Sequence, residues 1–344
     1  CIPTKTLLYS AKLYHNALNA GRYGVSAEGI TFDFQKMMAR KNKVVKKLVL
    51  GVAAKMKQNN VLVVKGEAYI ENRTANGIRI RVDETEFLAV NLLICTGSET
   101  FVPKIPGLEA SGDIILTSRE ALTLSEVPDS LIIIGGGVIG IEFASLFNSL
   151  GSKVMVIEML DEILPGMDRE LTTMAREIFS KKGIEFNLSS QITRVNGNEA
   201  IFEKDGKSFS VKADKILVSV GRVPVTIGFG LENIGVELIR GGIKVNDRMR
   251  TNIPNVFAAG DVTGFSMLAH TASREGEVVV NNLTGGNDRM RYNAVPGVVY
   301  SNPEISGTGL TEEAAREKKI DYRVAKLPMT FAGRFIAENE GETG

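Results

Sequence analysis

The sequence predicts an α/β fold in which one Rossmann-like domain is interrupted by a second one. The clearest sign is a βαβ unit, with a buried strand over residues 131–134, a helix over 138–150 and a strand over 153–157. Such a unit requires a parallel sheet with a right-handed crossover. On either side of it an apolar strand runs into a glycine turn, once over residues 92–95 and once over 255–259. These flanking pieces indicate that the βαβ unit is inserted into another nucleotide-binding domain.

The composition is that of an ordinary globular protein. Of the 344 residues, 44% are apolar and 24% are charged, and the formal net charge is +1. That balance favours neither nucleic acid nor an acidic membrane as a partner, and no apolar run approaches the roughly 18–20 residues of a membrane span. The two cysteines, Cys1 and Cys95, fit a reducing compartment, and no export signal precedes Cys1. We therefore expect a cytoplasmic protein without a metal site.

The hydrophobic pattern predicts two helices at the start of the chain. The first covers residues 4–20. The second is capped by Asp33 and keeps the 3.6-residue period through Val52, with the stem of Lys41 along its apolar stripe. The other predicted elements are strands over 61–64, 67–71, 78–82, 216–220, 298–300 and 321–326, helices over 171–182, 269–283 and 312–318, and an antiparallel meander over 191–211.

A glycine-rich loop follows the buried strand of the βαβ unit. Residues 135–140 fit G-x-G-x-x-G and open a helix, which is the context that a dinucleotide-binding loop needs. Gly135 makes the tight turn, Gly137 lets the backbone approach a pyrophosphate, and Gly140 lets helix and strand pack closely. The helix N-terminus supplies unpaired N–H groups to the phosphates. The loop therefore predicts a dinucleotide site, and the alternative is a glycine turn in a domain that binds no nucleotide.

Glu158 ends the second strand of the βαβ unit and indicates which dinucleotide binds. A carboxylate at this position can accept both ribose hydroxyls. It would repel a 2′-phosphate, because two like charges about 4 Å apart near a protein surface cost about 4 kcal/mol. No arginine lies within three residues of Glu158 to reverse the sign of the charge. We therefore predict NAD rather than NADP.

Three segments of the chain share a resemblance to one family. Residues 1–5 (CIPTK) resemble the second half of the C-x4-C redox motif of the pyridine nucleotide–disulfide oxidoreductases. Residues 135–142 resemble the NAD-domain fingerprint of that family, and residues 252–261 (NIPNVFAAGD) resemble its second FAD motif. The resemblance extends over the whole chain, and it implies FAD and NAD as cofactors.

The same resemblance implies a domain organisation. An FAD-binding Rossmann-like domain would be interrupted by an NAD-binding Rossmann-like domain and followed by the start of an α+β dimerisation domain. The predicted boundaries are 1–124 for the first part of the FAD-binding domain, 125–245 for the NAD-binding domain, 246–286 for the second FAD-binding part and 287–344 for the start of the dimerisation domain. Because the chain opens inside the redox motif and stops in mid-domain, we expect a fragment that lacks both ends of a homodimeric enzyme.

The resemblance assigns the redox chemistry to three residues. Cys1 matches the cysteine nearer the flavin, whose thiolate interacts with the isoalloxazine ring. Lys5 matches the lysine beside flavin N5, and Glu142 matches its ion-pair partner on the helix of the NAD-binding domain. A buried pair of this kind would couple nicotinamide binding to the redox state of the flavin. The alternatives are an inert cysteine, a surface lysine and a solvent-facing glutamate.

Further positions are assigned to the cofactors by the same resemblance. Asp261 matches the acid that hydrogen-bonds the flavin ribityl chain, and Ala269 and His270 match the helix start that faces flavin N1 and O2. The family usually has alanine where this chain has Cys95, which we expect to be a small core residue at the end of a buried strand. The remaining assigned cofactor-binding positions are Thr96, Gly97, Gly221 and Gly260.

Residues 267–270, residues 300–304 and Glu158 resemble the family members that oxidise protein-bound dihydrolipoamide. The resemblance implies that electrons pass from the dithiol to FAD and then as hydride to NAD⁺. The partners would be lipoyl domains of 2-oxoacid dehydrogenase complexes or of the glycine cleavage system. A first FAD glycine loop, the second redox cysteine and a C-terminal His–Glu pair are not in the sequence, so the fragment alone is expected to be inactive. The alternatives are a mercuric-reductase-like or glutathione-reductase-like enzyme, or a non-catalytic NAD-binding fragment.

Overall fold

The computed structural model describes residues 1–339 and 343–344. The α-helices are α1 (Ile2–Leu18), α2 (Phe34–Gln58), α3 (Ser118–Ala121), α4 (Val138–Ser149), α5 (Arg169–Lys181), α6 (Ala269–Leu283), α7 (Glu312–Glu317) and α8 (Gly333–Glu338). Short 3₁₀ helices lie at Ala20–Tyr23, Glu109–Ile114, Leu231–Ile234, Asp261–Thr263, Tyr292–Ala294 and Met329–Phe331.

The strands are short and are distributed over most of the chain. In chain order they are β1 (Ala68–Thr74), β2 (Gly77–Val82), β3 (Thr85–Ala89), β4 (Leu92–Ile94), β5 (Ser98–Thr100), β6 (Ile115–Leu116), β7 (Ser130–Ile134), β8 (Lys153–Ile157), β9 (Glu185–Asn187), β10 (Gln191–Asn196), β11 (Glu199–Lys204), β12 (Lys207–Lys212), β13 (Lys215–Val218), β14 (Arg222–Pro224), β15 (Leu238–Ile239), β16 (Gly242–Ile243), β17 (Val256–Ala258), β18 (Pro296–Val299) and β19 (Ile305–Thr308).

The chain divides into two compact units. Unit 1 contains Cys1–Val45, Val102–Val220 and Val298–Gly344, and unit 2 contains Lys46–Phe101 and Gly221–Gly297. Unit 1 therefore joins the first helix of the chain to the predicted NAD-binding region. The four domain boundaries predicted from the sequence stay predictions.

The centre of unit 1 is a parallel sheet with the strand order β6-β13-β7-β8-β9. Helix α4 connects β7 to β8, and α5 connects β8 to β9, which is the βαβ arrangement predicted from the sequence. Strand β7 is buried on both faces, as expected for a parallel strand covered by helices. An antiparallel meander of β10, β11 and β12 also belongs to this unit, as predicted.

Helix α1 packs against α4 within unit 1. Pro3 lies in the first turn of α1, where a missing N–H costs nothing, and Leu7, Leu8 and Ala11 are buried. Helix α4 is buried along nearly its whole length because it lies between the sheet and α1. This packing places the N-terminal end of α1 beside α4.

Unit 2 contains an antiparallel sheet and two short strand pairs. Strands β1, β2 and β3 form the antiparallel sheet, β4 pairs in parallel with β17, and β5 pairs with β14. Because β4 and β17 run in the same direction, the turns after Ile94 and Ala258 lie at one edge of the sheet. Ligands of α/β proteins bind at this edge, outside the carboxyl ends of the strands.

The structure corrects several sequence-based expectations. Residues 61–64 and 321–326, predicted to be strands, have no assigned secondary structure, whereas Thr85–Ala89 forms a strand that was not predicted. Cys95, expected in the core, is exposed, because side chains alternate between the two faces of a strand and Cys95 follows the buried Ile94. Among the described residues, no helix combines the length and apolar character that crossing a bilayer requires.

Candidate redox and nucleotide sites

Lys5 and Glu142 form an ion pair at the contact between α1 and α4. The Lys5 Nζ atom lies 2.7 Å from Glu142 Oε1 and 2.6 Å from Oε2, so both carboxylate oxygens accept from the ammonium. The Glu142 side chain is only 4% exposed, whereas that of Lys5 is 31% exposed. A buried charge is costly unless it is paired, and the Lys5 ammonium neutralises the buried Glu142 carboxylate. Lys5 itself is partly exposed, so it can also contact a ligand.

Tyr300 completes the surroundings of this pair. Its backbone N–H donates to Glu142 Oε1 at 3.0 Å, and its ring centroid lies 5.0 Å from Lys5 Nζ. The tyrosine therefore contacts the acid through its backbone and the ammonium through its ring, in a cation–π geometry. The sequence marked Tyr300 as part of a family-like segment but carried no signal that it meets Lys5 and Glu142.

Cys1 lies one helical turn before Lys5. It is exposed at the N-terminal end of α1, and its carbonyl accepts the Lys5 N–H at 3.0 Å. A thiolate is stabilised at a helix N-terminus and near a cation. Cys1, Lys5 and Glu142, the three residues predicted to be catalytic, are therefore close together in unit 1.

The glycine loop before α4, predicted to bind a pyrophosphate, combines a tight turn with open space. Gly135 has φ +105°, and a Cβ on Gly140 would lie 2.1 Å from the Gly135 carbonyl oxygen. A Cβ on Gly137 would have nothing within 4 Å, so the space next to this residue is open to a ligand. Gly135 and Gly140 are thus required by the fold, and Gly137 leaves room for the phosphates at the start of the helix.

Glu158 lies directly beside the glycine loop. Its side chain is buried, and Oε2 accepts the Gly136 N–H at 2.5 Å while Oε1 accepts the Leu160 N–H at 2.7 Å. A carboxylate oxygen can accept more than one hydrogen bond, so lone pairs remain for ribose hydroxyls. The next two residues, Met159 and Leu160, are exposed and apolar, and neither offers a cation to a 2′-phosphate. This site fits NAD.

Asp261 lies at the carboxyl edge of the β4–β17 pair in unit 2. Its Oδ2 atom accepts from the Ser98 hydroxyl at 2.6 Å. Arg222 in turn holds Ser98, with Nε 2.7 Å from Ser98 Oγ and Nη2 2.6 Å from the Ser98 carbonyl oxygen. The pattern of residues around the Gly-Asp motif did not reveal Ser98 or Arg222, because the contacts of Ser98 with Asp261 and of Arg222 with Ser98 join distant segments of the chain.

Glu275 is a fully buried acid next to the same turn. Its Oε2 accepts the Gly260 N–H at 2.5 Å, and its Oε1 accepts the Tyr292 hydroxyl at 2.7 Å. Burial raises the pKa of Glu275, although both hydrogen bonds oppose that change. Burial and the neighbouring Glu275 also raise the pKa of Tyr292. Sequence reasoning missed Glu275, since a glutamate on an amphipathic helix is usually exposed.

The other predicted cofactor residues of unit 2 take part in turns. The Thr96 hydroxyl donates to the Val225 carbonyl at 2.7 Å, and Gly97 has φ +75°. Gly221, with φ +134°, comes immediately before Arg222. Ala269 begins α6, and His270 Nε2 lies 2.8 Å from the Pro296 carbonyl oxygen. A carbonyl can only accept, so Nε2 carries the hydrogen; a contact between His270 and a flavin stays a prediction.

Within the part of the chain that the structure describes, no three His, Cys, Asp or Glu side chains are grouped so that they could hold a metal ion. The candidate sites therefore consist of an ion pair beside a cysteine, a dinucleotide loop with its acid, and an acid at the edge of a parallel strand pair. Together they define a nucleotide-dependent redox protein.

Comparison with known families agrees with this class. The family described as "Pyridine nucleotide-disulphide oxidoreductase" matches residues 1–276, and the dimerisation domain of the same family matches residues 295–344. The chain belongs to the pyridine nucleotide–disulphide oxidoreductase family. The predicted fold class and the predicted cofactors, FAD and a pyridine nucleotide, are thereby confirmed.

Curated relatives are similar along nearly the whole chain. A dihydrolipoyl dehydrogenase of Bacillus subtilis is 38% identical over 352 residues, which cover 99% of this chain and 75% of that protein. A dihydrolipoyl dehydrogenase of Geobacillus stearothermophilus is 38% identical over 347 residues, covering 99% and 73%. A mitochondrial dihydrolipoyl dehydrogenase of Pisum sativum is 37% identical over 351 residues, covering 99% and 70%.

Two solved protein structures also resemble the fold of this chain. The HOCl-induced flavoprotein disulfide reductase RclA of Escherichia coli superimposes with a TM-score of 0.84 at 31% identity, covering 100% of this chain and 75% of that one. LpdA of Mycobacterium tuberculosis superimposes with a TM-score of 0.88 at 26% identity, covering 98% and 74%. The chain is thus an oxidoreductase of the disulfide-reductase type.

Proposed function

We propose that the protein is a dihydrolipoamide dehydrogenase, which oxidises protein-bound dihydrolipoamide and reduces NAD⁺. The observation that carries the proposal is the cluster of Cys1, Lys5 and Glu142, with an exposed thiol one helical turn from a paired ammonium. The dihydrolipoyl dehydrogenases that match 99% of the chain at 36–38% identity support the choice of substrate. Lipoyl domains of 2-oxoacid dehydrogenase or glycine cleavage complexes would be the partners, and the active form would be a homodimer.

The residues of this chain have separate tasks in that reaction. When bound, FAD accepts the electrons of the dithiol and passes a hydride to the pyridine nucleotide. Cys1 would be one half of the redox disulfide that the resemblance implies: the substrate dithiol reduces this disulfide, is itself oxidised to a disulfide, and leaves Cys1 as the thiolate. Lys5 lies one helical turn after Cys1, and Glu142 fixes the direction of its ammonium through both carboxylate oxygens. Because both carboxylate oxygens hold the ammonium, its direction is fixed, and a fixed charge needs little reorganisation when negative charge develops nearby.

The test is an assay of the protein as its gene encodes it, with dihydrolipoamide and NAD⁺. We expect flavin absorbance, a long-wavelength charge-transfer band on partial reduction, and NADH formation. Cys1→Ser should abolish the band and NADH formation but keep the flavin. A flavin-containing protein that forms the band without oxidising dihydrolipoamide would favour another flavin disulfide reductase, a second candidate suggested by the similarity to RclA. A colourless protein that binds NAD would support the non-catalytic alternative.

Glu158 is proposed to select NAD over NADP. In Glu158→Gln the side-chain oxygen can still accept one backbone N–H, but the negative charge next to the 2′ position is lost. We expect the ratio of kcat/KM for NAD⁺ to that for NADP⁺ to fall by at least about tenfold, because a repulsion of up to about 4 kcal/mol is removed.

Asp161→Asn is the matched control for the Glu158 variant. Asp161 belongs to the same loop, but its carboxylate is exposed and paired with Arg169 at 2.8 Å. Loss of that charge should leave the coenzyme ratio unchanged. Equal ratios in the wild type and Glu158→Gln would contradict the role of Glu158 and leave the choice of dithiol substrate unaffected.

A further inference from the structure

Asp261 is reached by a chain of two hydrogen bonds whose direction the structure determines. The Arg222 guanidinium has only donors, so the Ser98 hydroxyl oxygen must accept from Arg222 Nε. The one hydrogen of that hydroxyl is then available for Asp261 Oδ2, 2.6 Å away. Asp261 therefore accepts at Oδ2, and its carboxylate keeps further lone pairs that can accept from a ligand.

Strand pairing fixes the position of Arg222. Strands β14 and β5 are antiparallel, with Arg222 opposite Thr100 and Pro224 opposite Ser98. The guanidinium makes a second contact with Ser98, from Nη2 to the Ser98 carbonyl oxygen at 2.6 Å, so Arg222 donates to Ser98 from two nitrogen atoms. A planar fork of this kind specifies orientation as well as distance, which a lysine cannot do. Arg222 thus holds both the backbone and the side chain of Ser98.

The backbone of the same turn is held from another direction. Gly260 has φ +83°, and its N–H donates to the fully buried Glu275. Glu275 thus holds the backbone before Asp261, and Ser98 holds the Asp261 side chain. These two hydrogen bonds restrain the turn at the edge where parallel strands bind ligands.

We propose that Ser98 and Arg222 are positioning residues that hold the Asp261 carboxylate in the orientation that binds a hydroxyl of the polyol chain of the flavin. The inference rests on the proposed role of Asp261 in FAD binding. It assigns no chemistry to Ser98 or Arg222, which act only through Asp261. Since one hydrogen bond to a charged group contributes about 1.5–3 kcal/mol, loss of the Ser98 hydroxyl should weaken FAD binding by at least about tenfold.

The experiment measures the dissociation constant for FAD after reconstitution of the apoprotein, using the chain as its gene encodes it. We expect Ser98→Ala to weaken FAD binding by at least about tenfold, and Ser98→Thr, which keeps the hydroxyl, to restore it. Arg222→Lys keeps the charge but loses the fork, so its effect should lie between those of wild type and Ser98→Ala. If one variant fails to fold, the others still test the proposal.

A double-mutant cycle distinguishes positioning from a general loss of structure. If Ser98 acts through Asp261, Ser98→Ala should add no further loss of FAD affinity in an Asp261→Asn background. Ser130→Ala is the matched control, because Ser130 donates to Asp214 at 2.9 Å in unit 1, and it should leave FAD affinity unchanged. Additive losses, or wild-type affinity in Ser98→Ala, would overturn the inference alone. Wild-type affinity in Asp261→Asn would overturn it together with the assigned role of Asp261.

Discussion

Glu142 is the residue with the most demanding surroundings in the candidate redox site. Its carboxylate is nearly inaccessible and receives three contacts, two from Lys5 and one from the Tyr300 N–H. Removing one partner of a buried ion pair is more destabilising than removing both, because a lone buried charge remains. Stability and catalysis can therefore be separated at this pair.

Lys5→Met should lower the free energy of unfolding by about 1–3 kcal/mol, since it leaves Glu142 buried and charged without a cation. The double variant Lys5→Met/Glu142→Gln should recover most of that loss, because a neutral amide needs no counter-ion. Chemical denaturation followed by circular dichroism measures both. Neither variant should reduce NAD⁺ with dihydrolipoamide. A double variant no more stable than Lys5→Met would contradict this account of the pair.

Single residues of the site were predictable to different degrees. Lys5 and Glu142 were predicted only through their match to family motifs, since 136 residues separate them and no periodicity connects such distant positions. Ser98, Arg222 and Glu275 were not predicted, because a polar residue on a short strand or an amphipathic helix is ordinarily at the surface. Their contacts depend on partners brought together by the fold, and the sequence alone does not specify those partners.

The loop between β7 and α4 makes the roles of its glycines distinguishable. Gly140 faces the Gly135 carbonyl oxygen at a distance that excludes any Cβ, whereas the space beside Gly137 is open. Gly137 also has φ −72° and ψ −178°, a conformation that alanine adopts without strain. One glycine is therefore needed for packing, and the other for a ligand.

Gly140→Ala should lower the free energy of unfolding by about 1–3 kcal/mol or prevent folding, because helix and strand must move apart. Gly137→Ala should change it by less than about 0.5 kcal/mol, yet weaken NADH binding by at least about tenfold, since the methyl group occupies the space of the pyrophosphate. Thermal unfolding and NADH fluorescence titration measure the two effects. Unweakened NADH binding in Gly137→Ala would show that the phosphates bind elsewhere.

Two apolar runs show why some strands were predicted correctly and others were not. Strand β7 and residues 61–64 both read as short apolar runs, yet only β7 forms a strand. Strand β7 lies between β13 and β8, which satisfy its backbone groups on both sides. Residues 61–64 are exposed and have no strand assignment. An apolar run specifies the capacity to form a strand, and the neighbouring strands decide the outcome.

At the scale of the whole molecule, two buried acids give opposite pH dependences. Burial raises the pKa of Glu162 in unit 1, but hydrogen bonds from Arg176, the Ile163 N–H and Thr173 outweigh it, and the net pKa is lowered. Glu162 thus adds stability above its unfolded pKa of about 4.5 and loses it as the pH falls through the lower folded value. The pKa of Glu275 in unit 2 is raised, so its contribution decreases as the pH rises.

Glu162→Gln should reduce stability at pH 7 by about 1–3 kcal/mol and flatten the decline between about pH 5 and pH 3. Glu275→Gln should reduce the loss of stability that accompanies rising pH, so the variant should compare better with the wild type at high pH than at low pH. Urea denaturation at a series of pH values measures both slopes. If Glu162→Gln keeps the wild-type decline in acid, the acid sensitivity of the protein must originate in other carboxylates.

The contact between Glu158 and the Gly136 N–H has a consequence for how coenzyme preference could change. The side chain that we propose discriminates against NADP also accepts a hydrogen bond from the backbone of the proposed pyrophosphate loop. Replacing Glu158 by a small residue would leave the Gly136 N–H without this acceptor, and we expect weaker binding of both NAD and NADP. A productive switch therefore needs at least two coordinated substitutions, one to admit the extra phosphate and one to brace the freed amide.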